Sequence, residues 1–278
     1  MAAILGLLVA VTYGVGDFFG GLASKKNRAE VVVALSQSFG LVLMVLLVVI
    51  DGSPLSWRDV GYGAVAGSIG LVGVVLLYRG LAQGTMSVIA PITAVSAGVV
   101  PLVWGLATGD RPGVIALIGV VAALAAVALV SAADAVEDRS ASRTDVTLAL
   151  AAGTAFGLVF VLLGHTDESS GMWPVLGART ASGALVMGAL VLVRRVSLRP
   201  ADGTLPTIAV AGALDASANA LYLLASREGL LSLVSVLSSL YPAATIVLAR
   251  FVLHERMNRT QLLGVALALT GVALIAAG

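Results

Sequence analysis

Residues 31–50 read VVVALSQSFGLVLMVLLVVI, a run of 20 residues without a charged side chain. A helix needs about 20 apolar residues to cross the hydrocarbon core of a bilayer, so this run predicts a transmembrane helix. Nine further runs of similar character lie on either side of it. The ten predicted spans cover residues 2–22, 31–50, 58–80, 86–107, 113–133, 145–164, 172–193, 204–226, 230–251 and 259–277.

The whole chain has the composition of an integral membrane protein. It is 59% hydrophobic and 11% charged over 278 residues, whereas soluble domains carry about 25% charged residues. A soluble fold of this length could not bury so much apolar surface. The runs are continuous, which favours helices over the alternating strands of a membrane β-barrel. The basic residues Lys25, Lys26 and Arg28 follow the first run, which is the wrong flank for a cleaved signal peptide.

Several functional classes are disfavoured by composition. The formal net charge of +1 gives no basic footprint for a nucleic-acid partner. Cysteine is absent, and the two histidines, His165 and His254, are isolated in the sequence, so we expect neither a metal site nor a cofactor. No P-loop or Gly-x-Ser-x-Gly motif is found, and we therefore expect that the protein is not an enzyme.

The two halves of the chain are related as a repeat. A shift of 145 residues, without a gap, places three glycines and an acidic–basic pair on equivalent residues: Gly67 on Gly212, Gly84 on Gly229, Gly119 on Gly264 and Asp110-Arg111 on Glu255-Arg256. We predict five-helix repeats over residues 1–133 and 145–278, joined by a polar linker over residues 134–144. Because five is odd, the second repeat is inserted upside down. Inverted repeats are typical of secondary transporters, with the solute site between them near the bilayer midplane.

These residues resemble a known family. The motifs that carry the resemblance are Leu81-Ala82, Ser87, Ala90-Pro91, Gly109-Asp110 and Gly119, followed by Ala225-Ser226, Ser232, Tyr241-Pro242, His254-Glu255-Arg256, Gly264 and Gly271-Val272. In order, spacing and duplication the chain resembles the EamA-type members of the drug/metabolite transporter superfamily. The resemblance implies an all-α integral membrane fold of ten helices in two inverted repeats. Asp110 stands where the family often has Glu, and Tyr13 where it often has Trp.

A polar stripe on the eighth span is the strongest site signal. Asp215, Asn219, Tyr222 and Ser226 follow each other at spacings that keep them on one helical face. Such a stripe on an apolar helix should face a water-filled cavity or the bundle interior; the alternative is a hydrogen-bonded seam between helices. In the repeat alignment, at the same offset of 145, the residues equivalent to Asp215 and Asn219 are Gly70 and Val74 of the third span. The stripe therefore has no counterpart in the first half.

Asp17 is the second candidate of this kind. It shares one face of the first span with Tyr13, Gly20 and Ser24. We predict that Tyr13 and Asp17 line the solute site, and that Asp17 or Asp215 holds a coupling proton. The alternative for Asp17 is an acid paired with a neighbouring helix.

The ninth span adds Ser232, Ser235 and Ser239 to the predicted solute site. Pro242 in this span, with Pro91 and Pro101 in the fourth, removes a backbone donor and predicts a kink or a gating hinge. Ordinary kinks satisfied by neighbouring groups are the alternative. Arg179 in the seventh span predicts a structural ion pair or, alternatively, a contact to an anionic solute group. Its counterpart, at an offset near 142, is Gln37.

The spans and candidate residues together predict a secondary active transporter, multi-pass in the cell membrane, that moves a small metabolite or drug-like solute by alternating access. Proton-coupled export is the favoured mode, and the expected partners are the solute, membrane lipid and protons, with the chain as a monomer or homodimer. The alternatives are a membrane enzyme acting on a lipid-linked substrate and a channel or scaffold.

The distribution of basic residues predicts the orientation in the membrane. Eleven Lys and Arg residues lie at the odd-numbered connections between spans and three at the even-numbered ones. The positive-inside rule therefore predicts that both termini lie outside, whereas the resemblance implies that they lie inside.

Overall fold

The computed structural model describes residues 1–83, 86–132, 143–193, 198–252 and 259–278, and their regular structure is entirely helical. The helices are α1 (Ala2–Ser24), α2 (Ala29–Asp51), α3 (Trp57–Gln83), α4 (Met86–Thr108), α5 (Val114–Ala132), α6 (Arg143–Gly164), α7 (Trp173–Val193), α8 (Leu205–Glu228), α9 (Leu231–Ser238), α10 (Tyr241–Val252) and α11 (Arg259–Ala277). The ten predicted spans are confirmed to within about three residues at each end. The ninth span is divided into α9 and α10.

The helices have the length and hydropathy of membrane spans. Six segments, in α1, α2, α3, α6, α8 and α11, are long and apolar enough to cross a bilayer, and shorter apolar segments cover Ile92–Thr108, Val114–Leu129 and Leu231–Thr245. Large apolar side chains such as Leu8, Val49 and Leu269 are exposed on the outside of the bundle. In lipid this exposure costs nothing, because the hydrocarbon tails are as apolar as the side chains.

The connection between α2 and α3 shows how local sequence ends one helix and begins the next. Gly52 follows α2 with φ of 64°, a left-handed conformation that glycine adopts without steric cost, and its N–H bonds the Val48 carbonyl oxygen. Ser56 then caps α3: the Asp59 amide donates to Ser56 Oγ, which donates to Asp59 Oδ2. These caps fix the turn at one end of the bundle.

The helix packing has the pseudo-two-fold symmetry that the repeat predicts. In the first repeat α1 packs on α8 and α10, and in the second the equivalent α6 packs on α3 and α4. In the same way α2 packs on α8 while α7 packs on α3, and α5 packs on its own counterpart α11. Each repeat therefore makes its main contacts with the other. Most of the predicted linker at residues 134–144 lies outside the described residues, and the division into 1–133 and 145–278 stays a prediction from the sequence.

Two equivalent glycines lie at close contacts between the repeats. A Cβ at Gly67 on α3 would collide with the carbonyl oxygen of Ala178 on α7, and a Cβ at Gly212 on α8 would collide with that of Ser36 on α2. Gly67 and Gly212 are 145 residues apart, and Ser36 and Ala178 are 142 apart, so one contact is the repeat image of the other. Small residues let helix backbones approach closely where no hydrophobic force draws them together.

Candidate functional site

An ion pair lies where α2, α7 and α8 meet. Arg179 Nη1 is 2.5 Å from Asp215 Oδ2, and the same nitrogen donates to Gln37 Oε1 at 2.9 Å. The Arg179 side chain is 7% exposed, whereas that of Asp215 is 45% exposed. Gln37 and Arg179 are repeat counterparts, and residues that contact their own counterpart must lie on the axis that relates the repeats. The ion pair therefore lies beside the pseudo-two-fold axis.

Asp17 brings a second carboxylate to this region. A Cβ at Gly16 would lie 3.4 Å from the Asp215 amide nitrogen, so α1 and α8 touch at this level. The Asp17 and Asp215 side chains are within electrostatic range of each other. Asp17 is exposed, but at 100° per residue it lies about 180° around α1 from the outward-facing Leu8. Gly14, on nearly the same side as Asp17, packs against α10. Asp17 therefore faces the interior of the bundle.

The Asp17 side of α1 is exposed towards the C-terminal end of the helix, and this accessible strip is called the crevice. Gly21 and Ser24 follow Asp17 within about 40° on the same helical face, and both are exposed. The side of α1 that carries them is the one that packs on α10 nearer the N-terminus. Asp17 is therefore accessible along α1 from the end of the bundle that holds the odd-numbered connections.

Aromatic rings close the inner end of this crevice. The Tyr13 ring centroid lies 6.4 Å from that of Phe160 and 6.3 Å from that of Tyr241. Phe160 in turn stacks on Tyr222 at 4.4 Å. Tyr13 is half-buried and within electrostatic range of Asp215. The predicted residue Tyr13 thus joins the charged groups to an aromatic cluster that the sequence did not indicate.

Tyr222 belongs to the core of the bundle in this conformation. Its side chain is fully buried. The hydroxyl donates to the Phe160 carbonyl oxygen at 3.1 Å and shares a 2.8 Å hydrogen bond with Ser235 Oγ. It thereby connects α8 to α6 and α9 and does not reach the crevice.

Asn219 and Ser226 direct their hydrogen bonds to their own helix. Asn219 Nδ2 donates to the Asp215 carbonyl oxygen at 2.8 Å, and Ser226 Oγ donates to the Leu223 carbonyl oxygen at 2.8 Å. Both side chains are half-buried. Asn219, one turn beyond Asp215, is the stripe residue placed next to the ion pair.

The serines of the ninth span surround a break in that span. Ser232, Ser235 and Ser239 are all fully buried. The helix stops after Ser238 and resumes at Tyr241, so Pro242 lies in the first turn of α10, where its missing N–H breaks no helical hydrogen bond. The predicted kink at Pro242 takes the form of two short helices.

The fourth span, in contrast, continues through its prolines. Pro101 is buried within α4, which runs from Met86 to Thr108. The Pro91 side chain lies outside what the structure describes. The gating roles of all three prolines stay predictions.

Contacts between connections hold together the opposite end of the bundle, which also has a cavity of about 470 Å³ lined by Leu5, Glu168, Leu224, Arg227 and Glu228. Arg227 Nη2, at the end of α8, donates to the carbonyl oxygens of Asp167 and Gly171, both at 3.0 Å. Trp173 Nε1 donates to the Ser53 carbonyl oxygen at 3.0 Å. These bonds join the connection before α3 to the one before α7 and to the end of α8. The crevice and these contacts therefore lie at opposite ends.

Asp110, at the same end, has the role of a helix cap, which the sequence allowed but did not favour over a solvated loop charge. Its Oδ2 accepts a hydrogen bond of 2.9 Å from the Ser232 amide, so it caps the N-terminus of α9. In the sequence Asp110 stands in a polar turn and is typical of a solvated loop. The sequence signal for a role beyond the loop was that an acidic residue, Glu255, stands at the equivalent place in the second repeat. Gln37 was noted as a counterpart of Arg179, but a contact between the two cannot be read from one repeat alone.

Within the described ranges, no group of three His, Cys, Asp or Glu side chains is arranged to hold a metal ion.

Comparison with known proteins gives relatives both in fold and in sequence. A crystal structure described only as that of a protein superposes with a TM-score of 0.82 over 98% of this chain and 95% of the other, at 16% identity, which shows a shared fold. Uncharacterized protein MJ1333.1 of Methanocaldococcus jannaschii is 33% identical over 95 residues, 34% of this chain and 69% of that protein. That relative is therefore about half as long as this chain, close to the length of one repeat.

The family comparison covers almost the whole chain. The EamA-like transporter family matches residues 1–132 and again residues 144–277. The two matches coincide with the two predicted repeats. The chain therefore belongs to the EamA-like transporter family and is a membrane transporter of the drug/metabolite transporter superfamily.

Proposed function

We propose that the protein is a secondary active transporter that moves a small polar or amphiphilic solute by alternating access, with the solute held at Asp17, Asp215 and Asn219. The observation that carries this proposal is the presence of an ion pair, Arg179 with Asp215, and a further carboxylate, Asp17, in an otherwise apolar bundle. Ionisable groups near a bilayer centre cost on the order of 2.5–3.5 kcal/mol each on insertion scales, and those that persist mark solute or ion pathways.

Asp17 is the favoured coupling site. Among the described residues Asp215 is paired with Arg179, whereas no Lys, Arg or His lies within salt-bridge distance of Asp17. A carboxylate in this position can be neutralised either by a proton or by a cationic group of the solute, but not by both at once. Competition of this kind would couple solute export to proton entry. Asp215 serves the same purpose whenever its contact with Arg179 opens.

The charge bias supports an orientation in which the crevice opens to the cytoplasm of the cell membrane. The crevice leads from the end that holds Lys25, Lys26 and Arg28, and the positive-inside rule assigns such connections to the cytoplasm. Because the chain has no cysteine, single cysteines introduced at Ser24 and Ser169 can be labelled without background. Labelling of position 169 but not position 24 from outside intact cells is the expected result, and the reverse pattern would put the termini inside.

Counterflow in proteoliposomes tests the transporter proposal. Liposomes loaded with unlabelled solute should accumulate the labelled solute transiently, which a channel, a scaffold or an enzyme does not support. Asp17→Asn should abolish accumulation driven by a pH gradient while exchange without a gradient persists. Asp202→Asn, in an exposed turn between α7 and α8, is the matched control. Unchanged gradient-driven transport in the Asp17→Asn, Asp215→Asn double variant would disprove the coupling.

A further inference from the structure

The charged groups around Tyr13 do not balance. They are Arg179 and Asp215, which form the ion pair, and Asp17, which lies one turn from Tyr13 and follows Gly16, the α1 residue beside the Asp215 amide. With all three ionised the site carries a formal charge of −1. We propose that Arg179 determines the charge of the solute, so that the site takes organic cations with one positive charge. This assignment rests on the proposed transport function, because it concerns the same crevice.

The argument for Arg179 begins with its immobility. Both of its described hydrogen bonds, to Gln37 and to Asp215, use Nη1, and the side chain is almost completely buried. Gln37 lies across the pseudo-two-fold axis and is a neutral acceptor, so it holds the guanidinium without altering its charge. The cationic charge of Arg179 is therefore a fixed part of the site, and it cancels one of the two carboxylates.

The remaining negative charge determines which solutes bind favourably. Asp17 has no basic partner at salt-bridge distance among the described residues, and a cationic solute that excludes water beside it gains the attraction of its carboxylate. A monocation brings the site to neutrality. A dication leaves a net positive charge, and a neutral or anionic solute leaves Asp17 uncompensated.

The walls of the crevice fit the organic part of such a cation. Tyr13 lies one helical turn from Asp17, and its ring is adjacent to those of Phe160 and Tyr241. Aromatic faces attract cations through the ring quadrupole, most strongly where water is excluded. The site therefore suits a substituted ammonium group next to an apolar or aromatic body.

Four probes of similar shape and different charge test the inference on the purified full-length chain. They are benzyltrimethylammonium (+1), p-xylylenebis(trimethylammonium) (+2), N-benzylacetamide (0) and phenylacetate (−1), with dissociation constants measured by calorimetry. The native protein should bind the monocation at least about tenfold more tightly than the other three. A single uncompensated charge at short range makes a large unfavourable contribution to the binding free energy.

Three variants change the charge of the site by design. Arg179→Gln makes the formal charge −2, and the preferred probe should become the dication. Asp17→Asn makes it zero, and the preference for the monocation should fall by about tenfold or more. The Asp17→Asn, Arg179→Gln double variant restores −1 and should restore the monocation preference, a result that a purely structural role of Arg179 does not produce. Asp202→Asn should bind as the native protein does.

Specific outcomes would overturn the assignment. These are tightest binding of phenylacetate or N-benzylacetamide by the native protein, binding of no probe, or an unchanged ranking in Arg179→Gln and the double variant. If Arg179→Gln does not fold, Asp17→Asn alone decides, because retained monocation preference would contradict the charge argument. Counterflow separates the two proposals: solute exchange without the charge ranking refutes only the selectivity, whereas the ranking without exchange refutes the transport mechanism.

Discussion

Substituting the two equivalent glycines by alanine tests the pseudo-symmetric packing. In Gly67→Ala the new methyl group meets the Ala178 carbonyl oxygen, and in Gly212→Ala it meets that of Ser36. Both obstacles are backbone atoms in the middle of a helix, so they cannot rotate away as a side chain would. The helices α3 and α7, or α8 and α2, must move apart. The two variants should therefore be destabilised to a similar extent.

The magnitude follows from two opposing terms. Alanine in place of glycine gains about 1 kcal/mol of helix propensity, and overpacking costs about 1–3 kcal/mol, occasionally more. A rigid obstacle puts the cost at or beyond the upper end of that range, so we expect a net loss of about 2 kcal/mol in each variant. For a chain of this size such a loss lowers the Tm by roughly 4–8 °C.

The assay is the thermal stability of purified protein in detergent, followed by size-exclusion fluorescence. Gly61→Ala is the control in α3, because a Cβ at Gly61 has no other atom within 4 Å; it should be neutral or slightly stabilising. Gly183→Ala is the corresponding control in α7. If Gly67→Ala and Gly212→Ala were as stable as the controls, or if one were harmless and the other severe, the symmetric close approach of the helices would be refuted.

Further predictions concern the core and the end of the bundle opposite the crevice. Tyr222→Phe removes a buried hydroxyl with two partners and should cost about 1–2 kcal/mol in thermal stability with little change in solute KM. Asp110→Ala removes the cap of α9 at Ser232 and should cost roughly 0.5–2 kcal/mol, whereas Asp110→Asn should retain most of it. Hydrogen bonds from Ser169 hold the pKa of Asp167 below its usual range, so stability should fall as the pH drops through that pKa, and Asp167→Asn should flatten this dependence in pH-resolved melting curves.

The sequence was sufficient for the architecture because the bilayer imposes one strong rule. Every span must be apolar over its full length, so the ten spans could be placed within a few residues of the helices. The sequence predicted a kink or hinge at Pro242, but it did not predict that the ninth span divides into two helices. A proline tells where a hydrogen bond is missing, and it does not tell whether the helix bends or stops. Ser239 and Leu240 form the gap, and α4 packs there at Gly98 against Ser239 while α1 packs at Gly14 against Tyr241.

The candidate site was predicted less well, because one helical face is not one environment. Asp215 and Asn219 lie beside the ion pair, but Tyr222, further along the same stripe, is fully buried against Phe160. Periodicity assigns residues to a face, and what covers that face depends on neighbours that are distant in the sequence. Arg179 and Asp215 were both recognised as costly charges within the membrane, yet their pairing depends on how α7 meets α8.

The difference between the halves at Gln37 and Arg179 has a physical reason. A pseudo-two-fold axis places counterpart residues from the two repeats against each other, and these two are 2.9 Å apart. Arginine at both positions would bring two like charges into hydrogen-bonding distance inside the bundle, which is strongly unfavourable at low dielectric. A duplicated transporter can therefore place a charge on its axis only if the repeats diverge there. After the divergence one charge remains on the axis, and it needs one partner. Asp215 supplies that partner in the second repeat, and the equivalent residue of the first repeat is Gly70.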